Sequence, residues 1–185
     1  MMHKVALIGS GNTFFKDEGI GLYAVKYLKE NYRFEPMVEI VDGGTLGFKL
    51  MPLLQEFDHV VIANAASDDT KDSGTISCKT AHEFLEGALI KKTANEVEIA
   101  EMLQICSLSE SMAEVTLISI VPEDIISVEV ALSQTLQECW SAYINTICTQ
   151  LKALEVTLSR KEEGMDLEEV LDIFSNPSMA LSKGF

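Results

Sequence analysis

Apolar residues fall along this chain in two alternating rhythms. Val5-Ala6-Leu7-Ile8 is a short unbroken run between Lys4 and Gly9. That is the pattern of a strand buried on both faces of a parallel sheet. Ile20, Tyr23, Ala24, Tyr27 and Leu28 then recur at helical spacing. They predict a helix from about Asp17 to Tyr32, with Pro36 just past its end. Met37 to Val41 alternates and is rich in β-branched residues, which predicts a second strand. Phe48, Leu50, Met51 and Leu54 suggest a short helix that Pro52 must begin, end or kink.

The rhythm continues in the second half. His59 to Ala65 is near-continuously apolar, a third strand buried on both faces. Residues 66–74 form a polar loop, and Thr75 to Cys78 a short edge strand. Thr80 to Lys92 shows no clear period, so irregular structure with about one helical turn is expected there. Thr93 opens a helix, with Glu96 three residues on completing a capping box. Val97, Ala100, Met102, Leu103 and Ile105 supply its apolar face, and Glu96, Glu98 and Glu101 its wet face. Val115 to Val121 is the last clear strand, stopped by Pro122. Leu136, Trp140, Tyr143, Ile144, Ile147, Leu151 and Leu154 predict one long helix from Leu132 to about Leu158. A charged break, 159–164, precedes a helix capped by Asp166 and running through Phe174. Asn176-Pro177 ends it and leaves a tail expected to be mobile.

Strands alternating with helices predict an α/β fold, a three-layer α/β/α sandwich on a mainly parallel sheet. The 185 residues suit one domain. Its core spans about residues 4–158, followed by an acidic helix and tail over 159–185. The net charge of −15 argues against nucleic acid and against an anionic membrane surface as partners. No apolar run approaches the ~20 residues of a membrane span, and Val5–Ile8 is too short for a signal peptide. A cytoplasmic location is expected. Cys78, Cys106, Cys139 and Cys148 contain no Cys-x-x-Cys pair and suit small buried hydrophobes kept reduced.

Chemistry concentrates in GSGNTFFKDEGIG, Gly9 to Gly21. This loop leaves a parallel strand at its carboxyl end, where open α/β sheets place their ligand crevices. It is a poor nucleotide loop. Phe14 stands where a dinucleotide fingerprint needs its third glycine, and no Gly-Lys-Ser/Thr ending is present. Asp17 and Glu18 would repel phosphate, but they suit the positive end of a helix dipole. The chain has no Gly-x-Ser-x-Gly elbow. Neither Ser10 nor Ser67 has a histidine identifiable beside it.

GSGNTFFKDEGIG followed by Asp42-Gly43-Gly44-Thr45 resembles the maturation proteases of nickel–iron hydrogenases. Asp58 to Ala63, Ile120-Val121-Pro122-Glu123, and Leu132-Ser133 before a long helix agree in the same order. The resemblance spans about residues 4–155. It implies a maturation factor that contacts a hydrogenase large-subunit precursor, and an endopeptidase that removes the precursor's C-terminal peptide once nickel is in place. No tightly bound cofactor is implied; the nickel contacted is the substrate's own.

The resemblance also implies site residues. Family members grip the metal with a carboxylate, a second carboxylate and a histidine, at the places of Glu18, Asn64 and Asn95. Only Glu18 keeps the family's residue type. A carboxamide oxygen is neutral, and it lacks the imidazole nitrogen that suits nickel. Asp17 and His82 are further candidate donors, although a lone histidine such as His82 is more often a surface residue. Asp68 and Asp69 more often mark a solvated acidic loop. Gly11, Asn12, Asp42, Gly43 and Gly44 are expected to border the substrate crevice. Two readings stay open: a cleaving endopeptidase, and a relative that binds the precursor or another maturation factor without cutting.

Overall fold

The computed structural model describes residues 3–45, 47–87, 92–109, 111–176 and 178. Its centre is a five-stranded sheet in the order β3-β1-β4-β6-β5. These strands are β1 (Val5–Ser10), β3 (Val38–Gly44), β4 (His59–Ala65), β5 (Ile76–Thr80) and β6 (Glu114–Ile120). β3, β1, β4 and β6 pair in parallel, and β5 joins the β6 edge antiparallel. Strand alternation divides the core. Val5 and Leu7 face α1 (Ile20–Asn31) and α5 (Gln134–Ala153), while Ala6 and Ile8 face α2 (Met51–Glu56) and α4 (Ala94–Cys106). Both sheet faces are covered, as a parallel sheet requires. Tyr27 is half-buried and stacks edge-on against buried Trp140.

Several boundaries differ from the sequence reading. A 3-10 turn, Lys16–Gly19, precedes α1, so Asp17 and Glu18 stand before the α-helix proper. The segment after Thr80 holds a capped helix, α3 (Ala81–Glu86), with Thr80 and Glu83 closing a capping box. The next residues, 88–91, lie outside those described. The long helix does not reach Leu158. It ends at Ala153, and Glu155 takes a positive φ of 63°. The chain then turns into β7 (Thr157–Arg160), which pairs antiparallel with β2 (Tyr32–Glu35). Helical spacing persisted through Leu154 and Leu158, but pairing with β2 satisfies backbone groups that a helix end would leave open. The charged break therefore begins as strand. Asp166 caps α6 (Leu167–Ser175), whose Phe174 lies edge-on to Tyr23 of α1.

Two polarity expectations are corrected. Glu96 is buried, whereas Val97 and Ile105 are exposed. The inward face of α4 is instead Ile99, Met102, Leu103 and Cys106. Cys106 and Cys148 are buried, but Cys78 is exposed and Cys139 half-buried; all four are free. The tail expected to be mobile lies, apart from Ser178, outside the described residues.

Candidate functional site

The carboxyl ends of β1, β4 and β6 bring Ser10, Asn64 and Ser119 to one level of the sheet. Ser10, Asn64 and Ser119 each stand two residues after Ile8, Ile62 and Leu117, whose side chains pack on the α4 side, so strand alternation turns all three toward α4. Above them sits the first turn of α4. Asn95 Nδ2 donates to Ser10 Oγ at 2.9 Å, and Ser119 Oγ donates to Asn64 Oδ1 at 2.6 Å. All four side chains are buried. Among the described residues, the Nδ2 of Asn64 has no hydrogen-bond partner. A buried donor without a partner costs stability, so this atom marks a place where the polar layer is incomplete.

Glycines let the loops close on this layer. Gly11 has a φ of 153°, and a Cβ there would run into the Glu18 carbonyl. Its N–H donates to the Gly44 carbonyl at 3.0 Å. Gly44 takes a positive φ of 51°, and the same carbonyl also accepts from Ser10 Oγ and Asn95 Nδ2. Gly43 lies against the Gly9 carbonyl. The Asp42–Gly44 segment thus fastens β3 to the loop after β1. Both a positive φ and a close backbone approach operate here.

Over the polar layer opens a crevice of about 600 Å³. Asn12, Phe15, Glu18, Thr45, Asn95 and Glu98 are among its lining residues, with Lys92 and Ile126 at one end. Of the residues implied by resemblance, Glu18 and Asn95 line the crevice, and Asn64 lies buried beneath it in the polar layer. Asn12 lines it as well. Gly11 and Gly44 support it from behind, while Asp42 turns toward a separate groove beside Lys26, Lys29 and Phe174.

Burial raises the pKa of Glu18 above the ordinary carboxylate range. A hydrogen bond from Thr93 opposes that rise, and the nearby Glu96 charge adds to it. A carboxylate so placed can face a cation or accept a proton. Glu96 has a structural task that sequence inspection assigned to solvent. Its carboxylate accepts from the N–H groups of Ser67, Lys92 and Thr93 and from the Ser67 hydroxyl. It thereby ties the loop after β4 to the start of α4. The capping box was the legible signal; the burial was not.

The other candidate donors are engaged elsewhere. Asp17 is fully buried, and its oxygens accept backbone N–H groups of Glu123, Asp124 and Ser133 at 2.7–2.9 Å. His82 is exposed on α3 and faces Glu86. Asp68 pairs with Lys71, and Asp69 with Lys92. Among the described residues, no three His, Cys, Asp or Glu side chains are grouped closely enough to hold a metal ion.

The family's sequence profile, that of the hydrogenase maturation proteases, matches residues 22–150. The chain belongs to the hydrogenase maturation protease family. The hydrogenase 2 maturation protease of Escherichia coli is 28% identical over 123 residues, which cover 66% of this chain and 75% of that protein. The hydrogenase expression/formation protein HupD of Rhizobium leguminosarum is 26% identical over 171 residues, 91% of this chain and 84% of HupD. In fold, this family member resembles the E. coli maturating endopeptidase HybD, with a TM-score of 0.78 at 24% identity over 85% of this chain and 98% of HybD. HybD of Thermococcus kodakarensis gives a TM-score of 0.66 at 22% identity, over 80% and 99% of the two chains. The profile match spans residues 22–150, so β1, the loop carrying Glu18, β7 and α6 lie outside the matched stretch. No helix among the described residues is long and apolar enough to cross a membrane.

Proposed function

We propose that this protein acts on a hydrogenase large-subunit precursor, taking the precursor's C-terminal segment into the crevice between Glu18 and Asn95 and removing it by peptide-bond hydrolysis. Family membership supports the reaction class. The observation that carries the substrate's placement is the Glu18 carboxylate, buried yet lining the crevice, where it can face a cation held by the precursor. Among the described residues, no histidine or cysteine lines the crevice. In this reading water is the nucleophile, and Glu18 is the group suited to take a proton.

A second reading, binding without cleavage, has its own observation. Asn95 is tied to Ser10 and Asn64 to Ser119, so two family metal contacts are carboxamides engaged in internal hydrogen bonds. Contact with the precursor's nickel would then rest on one carboxylate.

Incubation with a nickel-loaded precursor separates the two. A shortened large subunit, absent with Glu18→Gln, supports cleavage; stable association without shortening supports the second reading. Metal titration by calorimetry adds an independent test. The parent should bind free nickel or cadmium weakly. Asn64→Asp with Asn95→His should tighten binding by at least ~10–100-fold, the scale by which even supporting contacts alter metal affinity. Adding Glu18→Gln should abolish the gain.

A further inference from the structure

The mouth of the crevice carries apolar side chains that the fold leaves in water. Residues 12–16 run beside 124–130. The Glu129 N–H donates to the Phe14 carbonyl, and the Lys16 N–H to the Glu129 carbonyl, each at 3.0 Å. Phe15 and Glu129 form a parallel bridge, which sets Phe14 beside Val128 in register. Phe14 is 68% exposed, Ile126 84% and Val128 76%. Ile126 also lines the crevice and an adjoining basin of about 450 Å³.

This ribbon is fixed in place. Asp17 holds the Glu123 and Asp124 N–H groups. Asp124 accepts from the Ile126 and Ser127 N–H groups and from the Ser127 hydroxyl. Those bonds hold the Asp124 pKa down at about 2. Lys16 lies 3.7 Å from Asp124 and 3.5 Å from Glu129. A surface already rigid loses little entropy when a partner docks. Rigid apolar side chains next to a crevice are a feature of interaction sites more than of ordinary surface.

We propose that Phe14, Ile126 and Val128 form a docking patch for the folded body of the precursor, separate from the crevice that takes its C-terminal segment. The proposal rests on the functional reading above. Ile126 belongs to both surfaces, so a chain entering the crevice brings its parent domain against the patch. Charge selects the partner's chemistry. Asp68, Asp69, Glu123 and Asp124 line the basin beside Ile126 together with Lys71 and Lys92, and Glu129 faces Lys16 on the ribbon, so acids outnumber bases around the patch in a chain of net charge −15. The complementary surface is apolar with a border of Lys and Arg. A second copy of this chain brings the same negative charge and is disfavoured.

The test compares the full chain with Phe14→Ser/Val128→Ser, neither residue lining the crevice. Met37→Ser/Leu108→Ser serves as control, since those side chains are 83% and 87% exposed elsewhere. Affinity is measured for the folded large-subunit precursor and, separately, for a synthetic peptide of its C-terminal segment. The docking variant should lose about 10-fold or more for the precursor, as expected when two anchoring side chains are removed. Its peptide affinity and melting temperature should stay unchanged, and the control should match the parent throughout. Equal precursor binding by variant and parent overturns the proposal. So does an equal loss for peptide and precursor, or a parent dimer that the variant dissolves. A parent that binds neither ligand overturns the functional reading and this proposal together.

Discussion

Two adjacent acids show how far neighbours in sequence diverge in role. Asp17 points inward and receives three backbone N–H groups from the segment 123–133. An amide has only one accepting oxygen, so Asp17→Asn turns an NH₂ toward at least one of those donors. We expect a loss of about 2 kcal/mol, or roughly 4–8 °C in melting temperature for a domain of this size, measured by calorimetric scanning. Glu18 behaves in the opposite sense. Its folded pKa is raised by burial, so ionisation opposes folding. The stability penalty grows as pH rises through the window between the unfolded value near 4.5 and the folded value, and is complete above it. Glu18→Gln should therefore melt higher than the parent at pH 7.5, by up to ~2–4 °C. The advantage should shrink as pH falls toward the unfolded value near 4.5. A variant that melts lower at pH 7.5 would show that the Thr93 hydrogen bond outweighs desolvation. A stabilising change at a crevice residue is the trade-off expected where function keeps a charge buried.

Elements are held at the crevice by close backbone approach as much as by side chains. Gly21 in α1 lies against β4, where a Cβ would collide with the Ala63 carbonyl. Helix propensity favours alanine over glycine by ~1 kcal/mol, but the collision involves backbone that cannot step aside. Gly21→Ala should thus destabilise by ~3 kcal/mol or more, and chemical denaturation would show it as a lower midpoint. An unchanged midpoint would mean that α1 can slide on the sheet. The same helix carries Tyr23, whose hydroxyl reaches the Thr13 carbonyl at 3.5 Å and whose ring meets Phe174 of α6. Burial and the Asp17 charge both push the Tyr23 pKa upward, so it remains a neutral donor. The last helix, α6, therefore packs on the helix that follows the site loop.

For the molecule as a whole, charge is the largest asymmetry. Twenty-nine acidic against fourteen basic residues leave −15, and self-repulsion in the compact state follows. Raising salt from about 0.05 to 0.5 M shortens the screening length to a few ångströms. The melting temperature should rise by a few degrees. A fall would show that surface ion pairs, such as Lys16 with Asp124 and Glu129, outweigh the general repulsion.

Local chemistry made the four parallel strands, α1, the capping box at Thr93, the Asp166 cap and the glycine turn at Gly43–Gly44 legible from sequence. Each rests on a period or a residue type that acts within a few positions. The end of α5 was not legible, because β2, more than a hundred residues earlier, takes up the chain after Leu154. Nor was the burial of Glu96, whose carboxylate is stabilised by N–H groups from two separated loops. The family resemblance grouped Glu18, Asn64 and Asn95 as one expected site. Tertiary structure decided that Glu18 and Asn95 face the crevice while Asn64 lies sealed below, with one donor unpaired. That distinction depends on strand register and on how closely α4 packs over the sheet, and both arise only when distant segments meet.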